Sequence, residues 1–301
     1  MRRRLLPLLT LATVAAVLAA VGHDSAPAGA DQLQRQLVSH PADDRCPRWA
    51  PDESVIAFES NRTGNWDLFI VRPDGSRLER LTDSEADDRF PTWSPAGGRL
   101  AFVSDRDGEP DLYVLDVATG RARRVVAWPG RESSPDWSPD GRRLAFTSER
   151  DGESGLWIVA VDGGTPRPLT PVPFRAVWPR WSPDGSVLAC CTRTFTDGEE
   201  DDIALLDPDG GVAPLRVTKT PGHDFCPTWS PSGDALVWVA TPPTGERHLV
   251  LGGLDGKVVA RFGRGFARVT EPDWAPRSRL VVFAAARADG RHDLWLENVP
   301  R

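Results

Sequence analysis

The chain has 301 residues, of which 36 are Lys or Arg and 43 are Asp or Glu, so its formal net charge is −7. This acidic balance, without a basic stripe along the sequence, argues against a nucleic-acid partner. We therefore expect the protein to bind something other than DNA or RNA.

The first segment of the chain has the pattern of an export signal. Three arginines precede an apolar stretch over residues 5–22, and the small-residue site Ala-Gly-Ala follows at residues 28–30. This order of segments is typical of a secretory signal peptide. We expect residues 1–30 to be removed, and the remaining protein to be extracytoplasmic: secreted, periplasmic or associated with the cell wall. Only an uncleaved signal would then tie the protein to a membrane.

The rest of the chain is built from one repeated motif, Pro-x-Trp-[Ser/Ala]-Pro. Its six tryptophans are Trp49, Trp93, Trp137, Trp181, Trp229 and Trp274. Subtracting neighbouring residue numbers gives spacings of 44, 44, 44, 48 and 45 residues. A period of this length is typical of one four-stranded propeller blade. The sequence therefore predicts an all-β, six-bladed propeller over residues 31–301.

Each period contains the pattern of four short strands, which we name a to d. In the second copy, the tryptophan strand a is followed by "RLAFVSD" at residues 99–105 and "DLYVLDV" at residues 111–117. A Gly-containing loop joins these two runs, as in a hairpin, and "RARRVV" at residues 121–126 forms strand d. We expect four-stranded antiparallel blades.

The prolines and tryptophans of the motif indicate where strand a lies. Proline removes a donor from the ladder, which a sheet tolerates at its edge and seldom in its middle. Strand a is then the inner edge that lines the central channel, and each tryptophan packs between neighbouring blades. We expect the six tryptophans to be structural and not to bind a cofactor.

The last blade lacks its own strand d. The segment "QLVSHPADDRCPRWAP" from Gln36 matches "RLTDSEADDRFPTWSP" from Arg80 with the same offset of 44 residues. Residues 34–39 therefore have the position of a strand d that precedes blade 1. We predict that this strand pairs with the last blade, because closing the ring removes exposed sheet edges.

Loops on one face of the propeller are candidates for binding a partner. The d-to-a and b-to-c loops open on the same face, because successive strands alternate in direction; we call this face the channel mouth. Mixed charge there could grip a protein, a peptide or a polar ligand, and solvated loop charges that pair with each other are the alternative. The candidate residues are Asp44, Arg45, Asp88, Arg89, Glu132, Arg175, His223 and Asp224.

A second ring lies one residue before each motif tryptophan. Its members are Arg48, Thr92, Asp136, Arg180, Thr228 and Asp273. Each Asp of this ring is followed by an Arg in the next blade. We predict that Asp136 pairs with Arg180, and that Asp273 pairs with Arg48 across the closure, which would fix the register of the blades. A ligand site at these charged residues is the alternative.

A further charge pattern recurs within blades. An Arg after strand b and an Asp at the start of strand c occur together as Arg62 with Asp67, Arg106 with Asp111, and Arg287 with Asp293. We expect each pair to brace its b-to-c hairpin.

The b-to-c loop of blade 4 is long and acidic. Its carboxylates are Asp197, Glu199, Glu200, Asp201 and Asp202. Oxygen ligands of this kind suit Ca²⁺, but their spacing does not match an EF-hand loop. A solvated loop is the preferred interpretation, and we expect no cofactor and no other metal.

The four cysteines offer little support for a disulfide or a zinc site. Cys46 and Cys226 hold the same position in blades 1 and 5, with blade 6 between them, which exceeds the reach of a disulfide. Cys190 falls where other blades have phenylalanine, so it is expected in the core. A bridge between Cys190 and Cys191 would be strained. No second cysteine pair or histidine cluster suggests zinc.

Two further strings accompany the six motif copies, "SNRTGNWDLF" at residues 60–69 and "SDRDGEPDLY" at residues 104–113. With these motifs the chain resembles the exported TolB-type propellers, whose repeat is the Pro-Asp-Gly relative of the WD repeat. The resemblance covers residues 33–301 and implies a six-bladed propeller. TolB also carries an N-terminal α/β domain and works in a periplasmic complex with a peptidoglycan-associated lipoprotein. Few residues separate residue 30 from the first strand, so we expect that α/β domain to be absent here.

Two classes of function remain open at this stage. The preferred class is a binding or scaffold module for a protein, peptide or cell-envelope ligand, expected as a monomer and not as an enzyme. The alternative is a propeller lyase or hydrolase acting on a sugar or lactone. Against it, no pair of the histidines after residue 30 has the spacing of metal ligands or of a nucleophile and its base.

Overall fold

The computed structural model describes residues 34–150, 152–170, 175–195, 200–286 and 289–301. Within these ranges the chain forms 24 β-strands and no helix. The predicted export signal lies outside the described residues.

The strands of the first half follow the predicted four-strand period. One strand, β1 (Arg35–Val38), precedes the blades. Blade 1 contains β2 (Asp44–Trp49), β3 (Ile56–Ser60), β4 (Asp67–Val71) and β5 (Glu79–Arg80). Blade 2 contains β6 (Asp88–Trp93), β7 (Arg99–Ser104), β8 (Asp111–Asp116) and β9 (Arg121–Arg124). Blade 3 contains β10 (Arg131–Trp137), β11 (Arg143–Arg150), β12 (Glu153–Ala160) and β13 (Arg167–Pro168).

The second half repeats this order until the last blade. Blade 4 contains β14 (Ala176–Trp181), β15 (Leu188–Thr192), β16 (Asp202–Leu206) and β17 (Leu215–Arg216). Blade 5 contains β18 (His223–Trp229), β19 (Ala235–Thr241), β20 (His248–Gly253) and β21 (Val258–Phe262). Blade 6 contains β22 (Arg268–Trp274), β23 (Leu280–Ala286) and β24 (His292–Asn298).

Six four-stranded antiparallel sheets result, and together they form a six-bladed β-propeller, as the motif count predicts. The sixth sheet has the order β1-β24-β23-β22, and Arg35 is in register with Leu296. The prediction that the N-terminal strand completes the last blade is therefore confirmed. Leu37 and Val38 of β1 are buried in the cluster that also holds Trp49, which joins the closing strand to the core between blades 6 and 1.

The motif tryptophans pack between adjacent blades. Trp229 of blade 5, for example, contacts a buried cluster that includes Ile203 of blade 4 and Leu236 of its own blade. Five of the six are 5 to 8% exposed, and Trp93 is half-buried. This is the structural role that the sequence predicts.

Every inner strand contains a β-bulge just before its tryptophan. The register shifts between Arg45 and Arg48 in β2, and equivalent shifts occur in the other five inner strands. A bulge leaves one residue of the strand without a ladder partner. The motif proline suits this place because it has no N–H to leave unsatisfied.

The residue before each of these prolines has a positive φ, between 49° and 56°. These residues are Cys46, Phe90, Ser134, Trp178, Cys226 and Glu271. None is glycine, so each position costs about 1 to 3 kcal/mol of backbone strain that the surrounding structure must hold. We call these six residues the bulge ring; all of them line one recess in the channel.

Candidate functional site

Three acidic residues predicted at the channel mouth are internal partners of their own blades. Asp44, Asp88 and Glu132 are at most 2% exposed. Each forms an ion pair with the arginine 18 residues later, at N···O distances of 2.7, 2.8 and 3.0 Å. The arginines are Arg62, Arg106 and Arg150. These acids are therefore shielded from a ligand by the blade itself.

The expected braces of the b-to-c hairpins are formed differently. Arg62 contacts Asp44 instead of Asp67, and Asp67 contacts Arg80 of strand d at 2.8 Å. The reason is burial: the arginine reaches back to the fully buried acid at the start of strand a. In blade 2, Arg106 likewise contacts the acid of strand a, and Asp111 contacts an arginine of strand d. Arg287, predicted to pair with Asp293, lies outside the described residues.

Asp224 of blade 5 holds the position of these acids but pairs with no arginine in the described part of the chain. Its carboxylate accepts hydrogen bonds from Trp238 Nε1 at 2.9 Å and from Thr220 at 3.3 Å. Burial raises the pKa of Asp224 to about 6, although these hydrogen bonds favour the charged form. Trp238 stands where Phe58 stands in blade 1, so an indole N–H replaces the missing guanidinium.

We expect Asp224→Asn to flatten the pH dependence of stability between about pH 4 and 6. The folded pKa lies above the unfolded value of about 3.9, so the folded state binds the proton more tightly and gains stability as pH falls from 7 to 4. The wild type should gain roughly 2 kcal/mol over this range relative to the variant. Urea unfolding of both proteins at pH 7.5 and 4.5 measures this difference.

Trp238→Phe is the matched control for this prediction. It introduces the phenylalanine that blade 1 has at this position and removes the N–H donor, so the pKa of Asp224 should rise. The pH range over which stability changes should then move to higher pH. Parallel pH profiles for the wild type and Asp224→Asn would contradict the prediction.

The predicted cations of the mouth mostly have partners. Arg89 binds the buried carboxylate of Glu59 at 2.8 Å and stacks on Trp66, 4.4 Å from the ring centroid. Arg175 is exposed and pairs with Glu153 at 2.6 Å. These two arginines connect neighbouring blades and leave little charge for a partner.

Arg45 and His223 are also joined to neighbouring groups. Arg45 is 3.2 Å from His292 Nδ1 and 3.6 Å from Asp43, and its buried Nε has no partner among the described residues. His223 lies 2.8 Å from Asp201. Of the two, Arg45 keeps an unsatisfied donor at the mouth.

Two arginines that the sequence reasoning missed lie at the same mouth, and neither forms an ion pair among the described residues. Arg247 is in the b-to-c loop of blade 5, and Arg268 begins strand a of blade 6. Neither side chain forms an ion pair or hydrogen bond with any described residue. Burial and the positive charge of Arg268 lower the pKa of Arg247. Their positions were overlooked because the irregular loop of blade 5 lacks the motif arginine, and a sequence does not show which arginines remain unpaired.

An aromatic platform lies under these cations. The Arg247 guanidinium is 4.9 Å from the centroid of the Phe225 ring, and the Phe225 and Trp178 rings are 6.0 Å apart. Trp178 belongs to the bulge ring and lines the recess below. The mouth thus combines free positive charge with an apolar surface beside it.

The recess inside the bulge ring contains about 380 Å³ of space, part of it open to solvent. Side chains of neighbouring blades satisfy backbone N–H groups of the ring: Glu271 accepts from Cys46 N at 2.8 Å, and Glu59 accepts from Phe90 N at 2.7 Å. Burial raises the pKa of Glu271, which favours its neutral form. Apolar and proline side chains supply much of the remaining wall.

The charged ring before the tryptophans forms the waist of the channel, and its pairing is partly as predicted. Arg180 lies 3.7 Å from Asp136 of the preceding blade, as expected. It also pairs with Asp273 of blade 6. The predicted pair of Asp273 with Arg48 is not among the ion pairs of the described residues, because Asp273 pairs with Arg180 across the channel.

Both carboxylates of this ring also hold the next blade. Asp136 accepts from Trp181 N at 2.7 Å, and Asp273 accepts from Trp49 N at 2.8 Å. Thr228 does the same for Trp274 N at 3.2 Å, while Thr92 donates to Asp136 at 3.4 Å. These contacts support the blade-joining interpretation of the ring. Below the waist, a wider space of about 570 Å³ opens toward the opposite face.

The acidic loop of blade 4 uses its described carboxylates internally. Asp201 binds Arg193 at 2.7 Å, and Asp202 is buried and binds Arg216 at 3.0 Å. Glu200 accepts from Gly222 N at 3.0 Å. Asp197 and Glu199 lie outside the described residues. Where the chain is described, no group of three or more His, Cys, Asp or Glu could hold a metal ion.

All four cysteines are buried free thiols. Cys190 lies in the core of blade 4, as its repeat position predicts. Burial raises the pKa of the Cys226 thiol to about 12, so this thiol is protonated at neutral pH.

Taken together, these features define a six-bladed propeller whose channel is crossed at its waist by ion pairs and carries a cationic mouth with aromatic side chains. Its sequence matches the model of the TolB beta propeller domain over residues 30–127 and 87–211. The chain belongs to the TolB β-propeller family. No curated protein matches the sequence. No helix long and apolar enough to cross a membrane occurs among the described residues.

Solved structures share the fold at low sequence identity. TolB from Acinetobacter baumannii is 19% identical with a TM-score of 0.62, and the match covers 85% of this chain and 63% of that one. A protein of Agrobacterium tumefaciens assigned as TolB is 21% identical with a TM-score of 0.68, covering 89% and 94%. An oligogalacturonate lyase in complex with manganese is 15% identical with a TM-score of 0.65, covering 89% and 93%. Proteins of different function therefore share this architecture.

Proposed function

We propose that the protein is an extracytoplasmic binding or scaffold module that holds a protein, peptide or cell-envelope ligand at the channel mouth. The single observation that carries this proposal is the pair of unpaired arginines, Arg247 and Arg268, beside the platform of Phe225 and Trp178. In a chain with a net charge of −7, guanidinium groups without a described carboxylate partner, beside the half-buried Trp178 ring, mark a place where a partner gains charge contacts. Export is proposed from the pattern of residues 1–30.

The test is a pull-down with the purified protein from residue 31 onward. The wild type and Arg247→Glu/Arg268→Glu are used to capture partners from envelope extracts of the source organism, which mass spectrometry identifies. We expect the double variant to lose a partner that the wild type retains. A substitution at Asp88 would be a poor probe, because it would leave Arg106 unpaired and weaken the blade.

Arg121→Glu/Arg142→Glu is the matched control. It makes the same charge change at two exposed arginines, one on the outer strand of blade 2 and one in an a-to-b turn on the opposite face. It should capture the same partner as the wild type. Equal losses in both double variants would point to net charge and would contradict a specific mouth site.

A lyase or hydrolase acting on a sugar or lactone is the second candidate. One observation favours it: His292 lies 3.2 Å from an Arg45 guanidinium nitrogen and 3.3 Å from Asp43. Burial lowers the pKa of His292, so its imidazole is neutral at pH 7 and can accept a proton. We propose to assay uronate oligosaccharides and sugar lactones with the wild type and His292→Gln. Turnover that is lost in the variant would support the enzyme.

A further inference from the structure

Arg247 and Arg268 form no ion pair with a carboxylate of the described residues, and the positive charge of Arg268 acts on Arg247. The neighbouring arginines of the mouth differ in this respect, since Arg89 and Arg175 each hold a glutamate at 2.8 and 2.6 Å. Arg45 adds a buried Nε without a described partner. A guanidinium presents several donors in a planar fork that matches a carboxylate. The missing component at this side of the mouth is therefore an anion.

The surface next to these donors is apolar. Arg247 lies over the Phe225 ring, and the Trp178 ring continues from Phe225 into the recess of the bulge ring. The carboxyl group of Glu271 in this recess has a raised pKa because of burial, and it accepts a hydrogen bond from Cys46 N at 2.8 Å. A ligand that fits must carry a negative group and an apolar group within a few ångströms of each other.

We propose that the free C-terminal end of a polypeptide binds at the channel mouth, with its carboxylate between Arg247 and Arg268 and an apolar last side chain against the half-buried Trp178 ring. This inference rests on the proposed function and names the partner's recognised element. A C-terminal residue carries its carboxylate and its side chain on the same Cα. An internal Asp or Glu carries its carboxylate on the side chain and has no apolar side chain on the same Cα, so it lacks this combination.

An acidic saccharide would suit the same arginines but not the wall beside them. Its hydroxyl groups would need partners on most edges of the ring, and burying them without hydrogen bonds is costly. Phe225 and the proline residues of the recess, such as Pro179 and Pro227, offer no side-chain partner. The structure therefore favours a peptide end.

The experiment measures binding of the hexapeptide Gly-Ser-Gly-Ser-Ala-Val, labelled with fluorescein at its N-terminus, by fluorescence anisotropy at low salt. The same peptide with a C-terminal amide differs only in the charged group. Since a charge-assisted hydrogen bond contributes about 1.5 to 3 kcal/mol, we expect the free acid to bind at least about tenfold more tightly than the amide. A third peptide ending in Gly tests the apolar contact and should bind more weakly than the Val peptide.

Substitutions locate the carboxylate. Arg247→Gln and Arg268→Gln should each reduce the preference for the acid over the amide, whereas Arg142→Gln on the opposite face should leave it unchanged. Unchanged urea midpoints will show that the variants fold. Equal binding of acid and amide, or absence of peptide binding up to millimolar concentration, would overturn the inference.

Digalacturonate tests the alternative that the bound anion is an acidic saccharide. If it binds and the free-acid peptide does not, the anion is a saccharide and the inference is wrong. The pull-down separates this failure from failure of the proposed function: a protein partner lost in Arg247→Glu/Arg268→Glu would keep the binding module, even if acid and amide peptides bind equally.

Discussion

Replacing Arg180 with methionine is expected to destabilise the propeller by about 3 to 5 kcal/mol. Arg180 is the one partner that joins Asp136 of blade 3 to Asp273 of blade 6 among the described ion pairs. Both aspartate side chains are 12% exposed or less, so the substitution leaves two buried carboxylates without their ion-pair partner. Urea unfolding followed by tryptophan fluorescence at pH 7.5 measures the change in free energy.

Arg48→Met is the matched control for this prediction. Arg48 lies in the same ring but forms no ion pair with a described carboxylate, and its guanidinium donates to the carbonyl of Pro47 at 2.9 Å. We expect its substitution to cost clearly less than that of Arg180. If both variants lose the same free energy of unfolding, stability depends on the total charge of the ring and not on the ion pairs of Arg180.

The pH dependence gives a second check. Burial raises the pKa of Asp136, and removing Arg180 takes away its nearest positive charge. The unpaired carboxylates should therefore take up protons more readily, so the deficit of Arg180→Met should shrink as pH falls from 7.5 to 5. Adding Asp136→Asn and Asp273→Asn to the variant should restore much of the lost stability at neutral pH. A deficit that stays constant with pH would contradict the electrostatic explanation.

Removing β1 is expected to have an effect of similar or larger size. A protein that begins at His40 lacks the strand that pairs with β24, together with the buried side chains of Leu37 and Val38. Burial of each side chain contributes about 1.5 to 3 kcal/mol, and the strand ladder is lost as well. Since domains are stable by only about 5 to 15 kcal/mol, we expect the truncated ring to unfold at much lower urea or to associate through its open edge.

A synthetic peptide of residues 34–39 tests whether the loss is specific to this strand. Added to the truncated protein, it should raise the urea midpoint, because it can pair with β24 in trans. The same peptide with Leu37→Asp should fail, since it places a charge in the core that contains Trp49 and Phe58. If the truncated protein unfolds like one that begins at Asp31, closure by β1 is not required for stability.

The sequence alone was sufficient to predict the architecture. A motif that returns every 44 to 48 residues encodes one supersecondary unit, so six copies predict six blades, and the match between Gln36 and Arg80 predicts the closing strand. The roles of the tryptophans and of the edge prolines follow from local chemistry for the same reason. The pair of Asp136 with Arg180 was also predictable, since it joins adjacent copies of one repeat position.

Only the tertiary structure decided which charges are available at the mouth. Asp44, Asp88 and Glu132 look like surface residues in the sequence, but burial against arginines of their own blades takes them out of solvent. Contacts across the channel, such as that of Arg180 with Asp273, join the same repeat position in blades 4 and 6, two repeats and 93 residues apart, and the sequence does not show which blades meet across the channel. That Arg247 and Arg268 form no ion pair with a described carboxylate follows only from the three-dimensional contacts of the mouth. A repeat fixes local structure because each copy folds by the same short-range rules, whereas the site depends on how unlike residues of six copies meet around one axis.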